Sequence, residues 1–99
     1  MSKTFEAHQM TFIAKTLWFV PGRVVTGEIE LGDVLRPDAP PSGDMAPPNC
    51  KVMAIETYGE AIDFLSEGTT GGLVIQVPHT EGDAFMQALP SVVLLKTED

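Results

Sequence analysis

Apolar and polar residues alternate over short distances in this chain, and glycine or proline interrupts the runs every few residues. Residues 11–20 read as one strand whose two alternating sets are both largely apolar. Phe12, Ala14, Thr16, Trp18 and Val20 form one set, and Ile13, Lys15, Leu17 and Phe19 the other. Such a strand is covered on both faces over its second half. Pro21-Gly22 is expected to end it with a turn. The next strand spans 24–29 and contains Gly27, a residue that inside a strand marks a bulge, a sharp barrel bend or a close backbone approach. Leu31-Gly32-Asp33 then supplies a hairpin turn, with glycine free to take positive φ, into a short strand at 34–36.

Residues 37–49 hold five prolines in thirteen positions. That density excludes helix and central strand and leaves an extended surface loop. Neither flank is long enough to fold alone, so the loop is not a domain linker. Residues 50–57 form a strand with Val52 and Ala54 on one side and Met53 and Ile55 on the other. Tyr58-Gly59-Glu60 turns the chain into a short strand at 61–65, and 66–71 is a loop. Residues 72–77 are the clearest buried strand. Over 80–89 the apolar spacing becomes helical for one or two turns, with Thr80 as cap and Phe85 and Leu89 facing inward. Pro90 stops that helix, and 91–96 is the last strand. Residues 1–9 carry no period and read as a loose arm or an added edge strand. The sum is an all-β chain: one domain over 10–97, a small closed or partly open antiparallel β-barrel with one short helix. Its expected structural turn glycines are Gly22, Gly27, Gly32, Gly68 and Gly72.

A barrel strand points alternate residues into the core and outward. Either Leu17 with Phe19 or Trp18 with Val20 is therefore expected on the outside. The N-terminal arm through Phe5 and Met10, the Pro-rich loop, a second copy or another protein would cover such an apolar patch.

Charge narrows the partners. Six Lys and Arg stand against fourteen Asp and Glu, a formal net charge of −8. Nucleic-acid affinity comes mainly from Lys and Arg displacing phosphate counterions, and here the cations are few and scattered. The balance argues for solubility or a basic protein partner; a protein partner or a homo-oligomer is expected, rather than nucleic acid. The longest apolar run, Leu17-Trp18-Phe19-Val20, is far too short for a membrane span. The first residues lack an apolar signal region, and the lone Cys50 permits no internal disulfide. Both fit a cytoplasmic protein, with Cys50 as a half-buried strand residue.

No constellation makes an enzyme. Ser66, Ser91 and Cys50 lack the adjacent base that activates a nucleophile. Glu28, Glu30 and Asp33 read as a solvated edge that deters strand-to-strand association. His79 with Glu81 and Asp83 resembles a metal trio, yet acidic residues at a helix start explain the two carboxylates. No catalytic, cofactor-binding or metal-binding residue is assigned, and no cofactor is expected. Gly68-Thr69-Thr70-Gly71-Gly72 lacks the lysine and following helix of a phosphate loop, so no GTP binding is expected.

The stretch Gly22, Val24, Thr26, Gly27, Ile29 followed by Gly32, Asp33 and Leu35 resembles the second, β-barrel domain of the translational GTPases, such as elongation factor Tu. Ile55-Glu56 and Gly68-Thr69-Thr70-Gly71-Gly72-Leu73-Val74-Ile75 follow in the order that family has. Departures accompany the match. Glu30-Leu31 joins the first segment directly to the Gly-Asp turn, the Pro-rich loop is extra, and Leu89-Pro90 replaces a late glycine. In the family the hairpin after the apolar-Glu pair is basic and lies near the aminoacyl end of tRNA. Here it is Thr57-Tyr58-Gly59-Glu60, without positive charge. The expected function is a non-catalytic protein-binding module or regulator on a translation-factor-like barrel, with Leu17, Trp18, Phe19, Tyr58 and Glu60 as its candidate interaction surface. The alternatives are an RNA- or ribosome-associated accessory factor that recognises an aminoacyl or ribosomal end, and a small metal-binding protein or enzyme.

Overall fold

The computed structural model describes residues 3–14, 16–37, 49–77 and 93–97. Ten strands lie among them: β1 (Thr4–Ala7), β2 (Thr11–Ala14), β3 (Leu17–Thr26), β4 (Ile29–Glu30), β5 (Val34–Pro37), β6 (Cys50–Thr57), β7 (Glu60–Ile62), β8 (Phe64–Leu65), β9 (Thr70–Gln76) and β10 (Val93–Thr97). The main sheet runs β1-β10-β5-β6-β9-β3-β2, with β7 on β6 and a further pairing of β1 with β3. β4 and β8 form a separate pair. Every pairing is antiparallel, and the main sheet curls into a half-barrel. The described residues contain no helix. The helix expected over 80–89 and most of the Pro-rich loop (38–48) lie outside the described residues.

Ten-residue β3 organises the sheet, and it corrects two expectations. The strand read over 11–20 is a hairpin: β2 folds back on β3 with Phe12 opposite Trp18. β2 is exposed along its length, and β3 alone alternates between buried and half-buried residues over 17–22. Nor do Pro21 and Gly22 turn the chain, because β3 runs through them with Trp18, Val20, Gly22 and Val24 all buried. On one side β3 pairs with β9 from Leu17 to Arg23. On the other it pairs first with β2 and then, from Gly22 onward, with β1. Pro21, which lacks an N–H, falls at that changeover, a tolerated place for strand proline. Its carbonyl accepts the His8 N–H at 2.9 Å. A Cβ at Gly22 would collide with the Glu6 carbonyl oxygen and the Phe5 ring, and one at Gly72 with the Phe19 ring. These two are close-approach glycines inside strands, not turn glycines. Gly27, Gly32 and Gly68 do take positive φ, at 76°, 87° and 83°.

Residues 4–7, expected as a loose arm or edge strand, are β1, which pairs with both β10 and β3. Phe5 and Ala7 are wholly buried in the core. The expected pairing of Val52 with Ala54 on one face also fails. Met53 has no partner in the β6–β9 register, and this extra residue carries Val52 and Ile55 inward together. The strand read over 61–65 divides at Asp63 into β7, held by β6, and β8, held by β4.

The Gly32 turn joins no hairpin. It carries the chain from β4, paired with β8, to β5, paired with β10 and β6. Asp33 fastens it: one carboxylate oxygen accepts the Glu30 N–H and the Lys3 ammonium, both at 2.9 Å. The turn backbone exchanges two bonds with Val52, which donates to the Asp33 carbonyl at 2.8 Å and accepts the Gly32 N–H at 2.9 Å.

Burial separates the two aromatic residues of β3. Trp18 is 4% exposed, with the Phe12 ring edge-on at 5.5 Å, whereas Phe19 is half-buried. Trp18→Ser is expected to cost about 3–5 kcal/mol and Phe19→Ser about 1–2 kcal/mol. Urea unfolding followed by circular dichroism measures both, and equal losses would contradict the assigned faces.

Candidate functional site

β6 and β7 form a hairpin in which Thr57 pairs with Glu60 across Tyr58-Gly59. Both central residues take positive φ, Tyr58 at 51° and Gly59 at 79°. Two-residue hairpin loops adopt such turns because their twist matches that of the strands, and the first position usually holds Asn, Asp or Gly. A tyrosine there costs roughly 1 kcal/mol in backbone conformation. It recovers nothing by packing, since Tyr58 is 99% exposed.

Two grooves flank this side chain. The larger, about 540 Å³, is lined by Ile62, Phe64 and Leu65 on its apolar side and by Thr57, Tyr58 and Thr70. The smaller, about 320 Å³, shares Thr57, Tyr58 and Thr70 and adds Phe19, Pro21 and Glu56. A bond from the Thr57 hydroxyl to the Thr70 carbonyl, 3.1 Å, ties β6 to β9 between them. Of the residues singled out in the sequence, Phe19 and Tyr58 meet at the smaller groove. Glu60 is exposed beside the turn, Leu17 is half-buried and lines neither groove, and Trp18 belongs to the core. Sequence reasoning missed Ile62, Phe64 and Thr70. The usable signal was Asp63, a polar break in a short apolar run that splits β7 from β8 and turns Phe64 half outward.

The surroundings are acidic. Glu56, which lines the smaller groove, and Glu60 beside the turn are exposed, and Arg23 stands across from Thr70 on β3. The Glu67 carboxylate accepts the Gly27 N–H at 2.8 Å, which anchors the loop before β9 to the end of β3. Lys3 lies against Gly27, and the Asp33 hydrogen bond holds its ammonium above its ordinary pKa. Burial opposes this, and the charges of Asp33, Glu30 and Glu28 reinforce it.

Among the described residues no group of three or more His, Cys, Asp or Glu is placed to hold a metal ion. His8 faces Glu6 at 3.2 Å. His79, Glu81 and Asp83 lie outside the described residues. Cys50, expected half-buried, is wholly buried, and burial pushes its thiol up to about 12. No helix among the described residues is long and apolar enough to cross a membrane.

Among solved structures the chain is similar to translation elongation factor SelB from Methanococcus maripaludis in its apo form. The TM-score is 0.79 at 17% identity, over 100% of this chain and 19% of that one. The half-barrel thus has the fold of a translation-factor second domain, and at that identity the likeness is one of fold. The chain spans about a fifth of SelB's length. No family model matches the sequence, and no curated protein matches it either.

Two outcomes follow from this geometry. Tyr58→Asn is expected to raise stability by about 0.5–1 kcal/mol, because asparagine adopts the left-handed region more readily. A lowered thermal midpoint would show that the ring contributes to packing. For Cys50 the folded pKa lies above the unfolded value, so the native chain retains a proton that the unfolded chain loses. Stability should be unaffected below about pH 9 and should fall by up to about 1.4 kcal/mol per pH unit from there toward 12. Chemical unfolding at several alkaline pH values, with Cys50→Ala as the reference lacking this slope, measures it. The native thiol should also resist an aromatic disulfide reagent at pH 8.

Proposed function

We propose that this chain is a non-catalytic protein-binding module or regulator built on a closed translation-factor-like β-barrel, acting in the cytoplasm. The Tyr58 hairpin with its grooves is the contact surface. The observation that carries this reading is Tyr58 itself, held in an unfavourable conformation with its ring in solvent. Such strain persists where the surrounding structure over-determines it, and it clusters at functional positions. Pairing of β1 with both β10 and β3 supports closure of the sheet. The net charge of −8 supports a protein partner, since a phosphate backbone would meet repulsion. A second copy of the chain is the other partner compatible with an exposed apolar groove.

The fold likeness to a translation elongation factor favours a second reading, an RNA- or ribosome-associated accessory factor. Fold alone does not assign function, because unlike functions share one scaffold. Titration with labelled GTP and with deacylated and aminoacylated tRNA at low salt separates the two readings. Neither ligand is expected to saturate in the micromolar range. Affinity capture from native cells, at low and moderate salt, should retain a protein that Tyr58→Asn releases. Saturable tRNA binding would replace the first reading with the second.

A further inference from the structure

We propose that the two grooves beside Tyr58 bind an extended basic peptide segment of a partner protein. One apolar side chain of the peptide enters the larger groove, and a Lys or Arg lies against the Tyr58 ring. This rests on the reading of the hairpin as a protein-contact surface and adds the chemistry of the partner.

Shape supports an extended occupant. The grooves share Thr57, Tyr58 and Thr70, so they adjoin at the Tyr58 turn. The larger is an open groove of about 540 Å³ with an apolar wall of Ile62, Phe64 and Leu65. Phe64 is 49% exposed, leaving half its surface for an incoming side chain to cover. The smaller groove has a carboxylate, Glu56, in its lining. Docking there by an aliphatic or aromatic side chain alone would leave that charge facing an apolar surface.

Charge selects the occupant. Glu60 follows the turn directly and Glu56 lines the smaller groove, both exposed. Across from Thr70 on the adjacent strand stands the cation Arg23. A polyanion would be repelled here, and a Lys- or Arg-bearing segment would be drawn in. The Tyr58 ring, open to solvent on both faces, is a platform for such a cation.

The probes are fluorescein-labelled peptides: a Lys/Arg-rich segment with one central Phe, the same segment with Ala for Phe, and a Glu-rich segment with the Phe. Anisotropy should show saturable binding of the first. Affinity should fall about tenfold or more with the Ala peptide, with Tyr58→Asn or with Phe64→Ser. The Glu-rich peptide should not bind, and binding should weaken on raising salt from about 50 to about 300 mM. Phe12→Ser, on exposed β2, should leave affinity unchanged. Amide resonances of Thr57, Tyr58, Phe64 and Thr70 should shift on titration, and circular dichroism confirms that each variant is folded. The proposal is overturned if the basic Phe peptide does not bind, if the Tyr58 and Phe64 variants bind it undiminished, or if a uridine homopolymer displaces it from the same amides. Should cell capture still depend on Tyr58 while the basic peptide fails, the partner chemistry is wrong and the protein-binding reading stands. Should both fail, that reading falls too.

Discussion

Where a side chain at position 22 would stand, the chain places the Glu6 carbonyl oxygen and the ring of Phe5. That contact lets β1 lie against the second half of β3, and β1 in turn carries β10, which carries β5. The same region of the sheet is thinned from its other strand. Gly22 is in register with Gly71, and Pro21 with Gly72. A Cβ at Gly71 would come within 3.0 Å of the Glu56 carbonyl oxygen and a Leu65 methyl, and one at Gly72 would enter the Phe19 ring. Three glycines thus clear one spot on two paired strands, where β1, β8 and the Phe19 ring approach closely. Glycine in a strand interior sacrifices roughly 0.5–1 kcal/mol against alanine, a cost that the close packing offsets. Without that spot neither the curl of the sheet nor the wall of the larger groove would hold its shape.

What could be read from the sequence follows from how local each determinant is. The strand at 50–57 was legible to its ends, because Pro-rich and Tyr-Gly signals bound it on both sides. Gly27, Gly32 and Gly68 were legible as special backbone positions, since positive φ is a local demand. Pro21-Gly22 was misread because the same dipeptide that makes a turn can also sit where one neighbouring strand replaces another. The partner strand decides between the two, and it is remote in sequence. β1 stayed open between a loose arm and an edge strand for a different reason: alternation over four residues is too short to register as a period. At the site, Tyr58 was visible as a turn residue. The grooves were not, because β6, β8 and β9 each contribute a part and β8 is two residues long.

Among the exposed apolar residues described, bulges account for three. Ile13, Val25 and Met53 have no partner where the registers of β2–β3, β1–β3 and β6–β9 shift. They are 48%, 42% and 46% exposed. A bulge leaves its extra residue unpaired while bending the strand, so their exposure is a by-product of curling the sheet. Scattered singly, such residues call for no partner. Tyr58 and Phe64 differ. No bulge forces either outward, both border one concave surface, and Tyr58 stays in an unfavourable conformation that a commoner turn residue would relieve.

Rigid support turns that exposure into a usable feature. β6 is paired with β5, β7 and β9, and the Thr57 hydroxyl adds a bond to the Thr70 carbonyl at the base of the hairpin. The Glu67 carboxylate, bonded to the Gly27 N–H, secures the opposite wall of the groove to the end of β3. Both walls are therefore held by the strands that also form the core, and the ring of Tyr58 projects from a fixed base. Glu56 and Glu60, by contrast, contribute little to that rigidity, since exposed charges interact weakly through water. They set the sign of the field that an approaching molecule meets. The fold and the rim are consequently separable, because one sheet could display either charge at this hairpin.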